Sequence, residues 1–131
     1  MITETAYGLS TQIALPYDEA LPRVKEALKE VGFGVLTEID VQDTIRQKLG
    51  KEFRRYGIIG ACNPQLAHRA LEAEIQVGLL LPCNVIVYEA GEETTVAAFD
   101  PEAAMGLADN PALAEVAREA KSLLKQALER L

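Results

Sequence analysis

The sequence has no tryptophan, only two cysteines and one histidine, and no long hydrophobic run. A helix that crosses a bilayer needs about 20 apolar residues, and the longest apolar run, around Val77 to Leu81, is far shorter. Two cysteines are too few for a disulfide framework. The glycine-rich phosphate loops, the G-x-S-x-G nucleophile turn and the H-E-x-x-H zinc motif are also absent. The common membrane, disulfide-rich and nucleotide-binding classes are therefore not indicated.

Basic residues are outnumbered, with 13 Lys and Arg against 20 Asp and Glu, so the net charge is −7. A protein that binds nucleic acids or anionic membranes needs a surplus of basic residues to neutralise phosphate groups, so neither partner is expected. The first ten residues, MITETAYGLS, have neither a basic stretch nor an apolar segment typical of a secretory signal. We therefore expect a cytoplasmic protein with free thiols.

Length and hydrophobic periodicity predict one α+β domain that spans residues 1–131. Asp18 is expected to cap the first helix, with Pro22 in its first turn. The pairs Asn63-Pro64 and Asn110-Pro111 each predict a helix start, since Asn is a favoured cap and Pro a favoured first residue. The pattern predicts five strands, at 7–15, 33–39, 56–62, 85–89 and 94–99. It also predicts four helices: one that begins at the Asp18 cap and ends before Gly32, one at 41–49, one that runs from Asn63 to Ile75, and one from Pro111 to Leu131.

The strands near the chain ends indicate how the sheet is covered. Ser10 and Gln12 alternate with apolar residues in the first strand, which predicts that one face of the sheet is exposed to solvent. Four residues, 90–93, separate the last two strands and predict a hairpin loop. Helices packed on one face of a curved, mostly antiparallel sheet fit this pattern best, although the strand order does not follow from it.

Several segments resemble a known bacterial family. The stretches TEIDVQDTIRQKLG, YGIIGACNP followed by LAHRAL, and GLLLPCNVIVYE are similar to the family catalogued as domain of unknown function 302. The paired segments at 61–64 and 81–85 are its most specific part. The resemblance implies an α+β domain similar to the curved-sheet fold of TATA-binding protein. It implies no established activity and assigns no catalytic residue.

Cys62 is the sharpest candidate for chemistry, because it comes just before the expected cap Asn63. The backbone N–H groups and the dipole of a helix start stabilise a thiolate and lower the pKa of the thiol. His68, one turn into the helix, could then exchange a proton with it. The alternative is that Cys62 is a small buried apolar residue and His68 a solvated surface residue.

Cys83 and Asn84 form the second Cys-Asn pair, and Asn84 precedes a predicted strand rather than a helix. It is either a turn residue after Pro82 or an amide that orients a ligand carbonyl. Whether Cys62 and Cys83 meet stays open, because the intervening chain can carry them apart or back together. With His68 they match no zinc spacing, so neither a metal nor another cofactor is predicted.

A basic stretch offsets part of the acidity. Between Asp43 and Tyr56 there are five basic and two acidic residues. Such a patch could hold a small anionic ligand through guanidinium and ammonium groups, or it could be a solvated helix and loop. The basic residues are Arg46, Lys48, Lys51, Arg54 and Arg55.

Two functional hypotheses remain after these observations. A complete core pattern without a recognisable catalytic set favours a binding or assembly module, expected to act as a homodimer through an uncovered sheet face or edge. The alternative is a thiol-dependent enzyme or redox sensor that uses Cys62.

Overall fold

The computed structural model describes residues 1–131, which form six strands and five α-helices. The strands are β1 (Thr3–Glu4), β2 (Gly8–Ile13), β3 (Gly34–Asp40), β4 (Tyr56–Cys62), β5 (Cys83–Ala90) and β6 (Glu93–Phe99). The helices are α1 (Tyr17–Glu30), α2 (Val41–Leu49), α3 (Pro64–Ala73), α4 (Pro101–Gly106) and α5 (Ala114–Glu129), with 3₁₀ turns at Ile75–Leu80 and Pro111–Leu113.

All six strands belong to one curved antiparallel sheet in the order β1-β2-β6-β5-β4-β3. The central strands pair in register, for example Ile59 with Val85 and Val85 with Ala98. At one edge, the register between β3 and β4 shifts between Val35 and Thr37, so that Leu36 is an extra, bulged residue. The predicted α+β class with an antiparallel sheet is confirmed.

The main core lies on one face of the sheet, between the strands and helices α1 and α5. Residues at alternate strand positions, such as Leu9, Ile59 and Val96, are fully buried there. The apolar stripe predicted for the last helix supplies Ala120, Leu124, Ala127 and Leu128 to the same core. We call this side of the sheet the helix face and the other side the open face.

A second, smaller core lies beyond the ends of β4 and β5. It joins α3, the 3₁₀ turn at Ile75–Leu80, α4 and the start of α5 through six buried residues: Ala70, Val77, Met105, Leu113, Val116 and Ala117. Leu66 of α3 packs against both cores. The two cores are thus distinct clusters that share little besides Leu66.

Several predicted details of the helices are wrong. α1 begins after Pro16, which provides no side-chain cap. Asp18 is the second residue of this helix rather than its cap, and its carboxylate binds Arg55. Pro22 consequently falls inside the helix, beyond its first turn. α3 ends at Ala73, where Glu74 turns extended, so Ile75 is exposed rather than part of the apolar stripe.

The connections also differ from prediction. The segment after α3 is a 3₁₀ turn from Ile75 to Leu80, where no 3₁₀ turn was predicted. The hairpin loop is shorter than four residues, because Ala90 pairs with Glu93 and only two residues turn the chain. Gly91 there has φ of 66°, a left-handed conformation that glycine adopts without strain.

Two elements escaped the sequence analysis. β1 has only two residues, which is too short for a periodicity to show. α4 begins with Asp100-Pro101, and the Asp100 side chain accepts a hydrogen bond from the Glu102 N–H at 2.9 Å. This is the same kind of start as the two Asn-Pro pairs, so a local signal for α4 was present.

Candidate functional site

The two Cys-Asn pairs lie on neighbouring strands at one end of the sheet. Ala61 is the Cα partner of Cys83, which places Cys62 diagonally across from Cys83. Both thiols are free. The two cysteines are therefore neighbours in the sheet that do not form a disulfide.

The end of β4 leads directly into α3 through Asn63. The Asn63 Oδ1 accepts a hydrogen bond from the Leu66 N–H at 3.2 Å, which confirms Asn63 as the helix cap. The predicted position of Cys62 beside the helix start is therefore correct. The Leu81–Pro82 peptide bond that precedes the second pair is cis.

A cavity of about 330 Å³ lies between these strand ends and the helices. Its wall includes Cys62, Asn63 and Cys83 together with residues from α3, α4 and α5. Twelve of its fifteen lining residues are hydrophobic and none is charged. The structure thus gathers three of the predicted site residues around one apolar space, which the sequence pattern did not reveal.

Burial, rather than the helix dipole, sets the acidity of the two thiols. It raises the pKa of Cys62, the direction opposite to the one expected for a reactive thiolate. Burial and the nearby Cys62 raise the pKa of Cys83 to about 11. Both thiols are therefore protonated and uncharged at neutral pH, so a catalytic role for Cys62 stays a prediction with no electrostatic support.

His68 faces solvent on α3. Its Nε2 lies 3.1 Å from the Glu72 Oε1, and both side chains are mostly exposed. His68 is not among the residues that line the cavity. The chain contains no group of three or more His, Cys, Asp or Glu side chains that could hold a metal ion, and Cys62, His68 and Cys83 do not form one.

Asn84 lies inside β5, not in a turn before it, and is exposed. It pairs with Gly60 of β4 and so belongs to the open face. It is not part of the cavity wall with Asn63. The two Cys-Asn pairs are therefore neighbours, but Asn63 lines the cavity and Asn84 lies on the open face.

The predicted basic patch is divided in the folded chain. Arg55 binds the Asp18 carboxylate at 2.7 Å and lies over the Tyr17 ring. Arg54 donates a hydrogen bond to the Glu89 carbonyl at 3.2 Å and lies over the Tyr88 ring. Arg46 and Lys48 are exposed on α2. Since Arg55 already has a carboxylate partner, an anionic ligand here stays a prediction that rests on the other basic residues.

Sequence reasoning missed two rows of side chains on the open face. Ile39, Ile58, Ile86 and Ala97 are consecutive Cα partners on four strands, and we call them the isoleucine row. Beside it, the rings of Tyr56 and Tyr88 stack with centroids 5.4 Å apart. None of these residues belongs to either buried core.

Comparison with known proteins agrees with this architecture. The family model for the domain of unknown function DUF302 matches residues 9–131. The chain belongs to the DUF302 family. The resemblance stated from the segments around Cys62 and Cys83 is thereby confirmed.

A solved member of the DUF302 family has the same fold. It is an uncharacterised conserved protein from Bacillus stearothermophilus, 31% identical, with a TM-score of 0.89. The alignment covers 96% of this chain and 98% of that one. No curated protein matches the sequence. No helix in the structure is both long and apolar enough to span a bilayer.

Proposed function

We propose that this DUF302 chain is a small cytoplasmic binding or assembly module that works as a homodimer, with the two open faces in contact. The observation that carries the proposal is the isoleucine row and the tyrosine pair, a continuous apolar surface that belongs to neither buried core. Contiguous exposed apolar patches are characteristic of interaction sites.

The strand sequences support a covered open face. In an antiparallel sheet with one wet face, apolar and polar residues alternate. β5 instead reads Val85-Ile86-Val87-Tyr88, and β4 carries Ile58 beside Ile59. Val85, Val87 and Ile59 fill the helix-face core, whereas the adjacent apolar residues belong to neither buried core. Such runs are typical of strands that are buried on both sides.

The distribution of charge supports a second copy of the chain as the occupant of this face. The chain has a net charge of −7, so two copies repel wherever their acidic surfaces meet. On the open-face positions of β2, β4, β5 and β6 the only ionised side chain is Glu93, beside the hairpin turn. Two open faces can therefore meet about a two-fold axis without opposing like charges at their centre.

The residue types at the edge of this face match those of known interfaces. Phe53 lies near Tyr56, with ring centroids 6.1 Å apart, and the Arg54 guanidinium lies 5.7 Å from the centroid of Tyr88. Interfaces are enriched in aromatic residues and arginine and depleted of acidic residues and lysine. The same side chains could thus serve as anchors in the dimer.

Sedimentation velocity across a concentration series tests the proposal. The wild-type chain is expected to sediment at twice its mass of 14.3 kDa. Ile86→Glu places a carboxylate at the centre of the isoleucine row and is expected to give a monomer. Ile75→Glu is the matched control, because Ile75 is exposed away from the sheet, and it is expected to leave the dimer intact.

Each other outcome counts against the proposal. A wild-type chain that stays monomeric at high concentration removes the homodimer. A dimer that survives Ile86→Glu but is broken by substitutions in the edge strand β3 places the contact elsewhere. Circular dichroism of both variants checks that loss of the dimer is not loss of the fold.

A further inference from the structure

We propose that the cavity at the ends of β4 and β5 binds a small, uncharged and mostly apolar molecule. This site is separate from the open face, because its walls come from the helix side and from the chain that connects β4 to β5. It does not depend on whether the chain dimerises.

The cavity occupies the boundary between the two buried cores. Phe33, Ala61 and Ala120 of the main core form one part of its wall. Met105 and Val116 of the smaller core form another part. The space between these walls is about 330 Å³ and is partly open to solvent. An occupant would contact both cores at once and join them.

The size of the cavity limits the occupant. Ligand sites commonly measure about 300–1,000 Å³, so this cavity lies near the lower end of the range. A space of about 330 Å³ therefore suits a ligand of small-molecule size. A helix or strand of another protein is larger than this, which leaves a small molecule.

The chemistry of the wall limits it further. No charged side chain lines the cavity, so nothing there offsets the desolvation of an ionised ligand. The two thiols in the wall are protonated because burial raises the pKa of each. The Asn63 Oδ1 is already engaged by the Leu66 N–H, so the wall offers a ligand little hydrogen bonding and suits a mostly apolar molecule.

The entrance lies near the edge strand β3. Leu36 is the bulged residue of β3, lines the cavity and is 66% exposed, so it forms part of the rim. Bulges commonly redirect a side chain next to a binding or active site. A ligand could therefore enter the cavity from solvent beside Leu36.

A matched pair of probes tests the proposal. Decan-1-ol and decanoate each contain ten carbon atoms, but only decanoate is charged at pH 7.5. Decan-1-ol is expected to raise the melting temperature in a saturable manner and to shift the methyl NMR signals of Leu66, Leu71 and Val116. Decanoate is expected to bind at least about tenfold more weakly, which corresponds to about 1.4 kcal/mol.

Ala67→Phe should fill the cavity from α3 and weaken decan-1-ol binding by about tenfold or more. Ala73→Phe is its control, since Ala73 is exposed on the same helix and does not line the cavity. If Ala67→Phe does not fold, Gly78→Leu fills the space from the opposite wall, where a Cβ would meet only Leu71 at 4.0 Å.

Three results would overturn the proposal. They are an absence of methyl shifts with decan-1-ol, equal binding of decan-1-ol by wild type and the filled variant, and tighter binding of decanoate than of decan-1-ol. The homodimer is tested independently by sedimentation, so failure of one proposal leaves the other unaffected.

Discussion

The Nζ of Lys121 lies 3.0 Å from the Oδ2 of Asp100, whose carboxylate is almost fully buried. The same ammonium group lies 3.0 Å from Glu4. These carboxylates raise the pKa of Lys121 well above its usual value, so the lysine stays charged at any ordinary pH. Since Asp100 also caps α4, this contact ties α5, α4 and β1 together.

We expect Lys121→Met to lower the free energy of unfolding by about 2–3 kcal/mol, because it leaves the buried Asp100 carboxylate without its ionic partner. Urea denaturation measures this loss. Lys125→Met is the control: Lys125 pairs only with the exposed Glu4, and such a surface pair contributes at most about 1 kcal/mol. Equal losses in the two variants would contradict the role given to Asp100.

Gly60 of β4 has no room for a side chain. A Cβ there would overlap the Thr37 Oγ1 and lie 2.8 Å from the Pro82 Cγ. Gly60→Ala is therefore expected to destabilise the fold by about 1–3 kcal/mol through overpacking.

The control for Gly60 is Gly106→Ala. No atom lies within 4 Å of a Cβ at Gly106, so this change should be neutral or stabilise the fold by up to about 1 kcal/mol, because it restricts the unfolded chain. Thermal denaturation of the two variants compares them directly. A neutral Gly60→Ala variant would show that Thr37 and Pro82 can move aside.

The reactivity of the cysteines depends on pH in a defined direction. A thiol reacts as its thiolate, so a rise in pKa from 9.0 to about 11 reduces the thiolate fraction of Cys83 at pH 8 by about 100-fold. Alkylation of Cys83 in the native protein should remain slow until the pH approaches 11. Cys62 should also react more slowly in the native protein than in the unfolded chain.

Iodoacetamide labelling followed by mass spectrometry measures both rates, with the urea-unfolded protein as reference. Cys62→Ser and Cys83→Ser variants assign each signal to its residue. If Cys62 instead reacts rapidly well below pH 8.5, it is a thiolate in the folded protein. That result would support the hypothesis of a thiol-dependent enzyme or redox sensor, which the raised pKa of Cys62 does not support.

Local patterns predicted much of the fold because they depend on neighbouring residues. The stripe that includes Leu124 and Leu128 predicted the last helix and its buried side, and Asn63 was correctly expected to cap α3. The errors came where tertiary contacts override such patterns. Asp18 was expected to cap α1, but the helix begins at Tyr17, and the Asp18 carboxylate binds Arg55, which is 37 residues away in the chain.

The candidate sites were less predictable than the fold. The continuous apolar runs of β4 and β5 were a visible signal for a covered open face, but the polar residues of β2 suggested a wet one. The cavity left no such signal, since its wall joins residues as distant in the chain as Leu36 and Val116. Their proximity depends on how the helices pack, which periodicity does not encode.

The sequence by itself determined the α+β class, the family, most helix and strand positions and the acidic charge, because composition and short-range periodicity carry that information. Only the tertiary structure decided that Ala61 pairs with Cys83, that Asn84 lies on the open face and that burial raises the pKa of both thiols. These properties arise from long-range strand register and from the exclusion of water, and both exist only once the chain has folded.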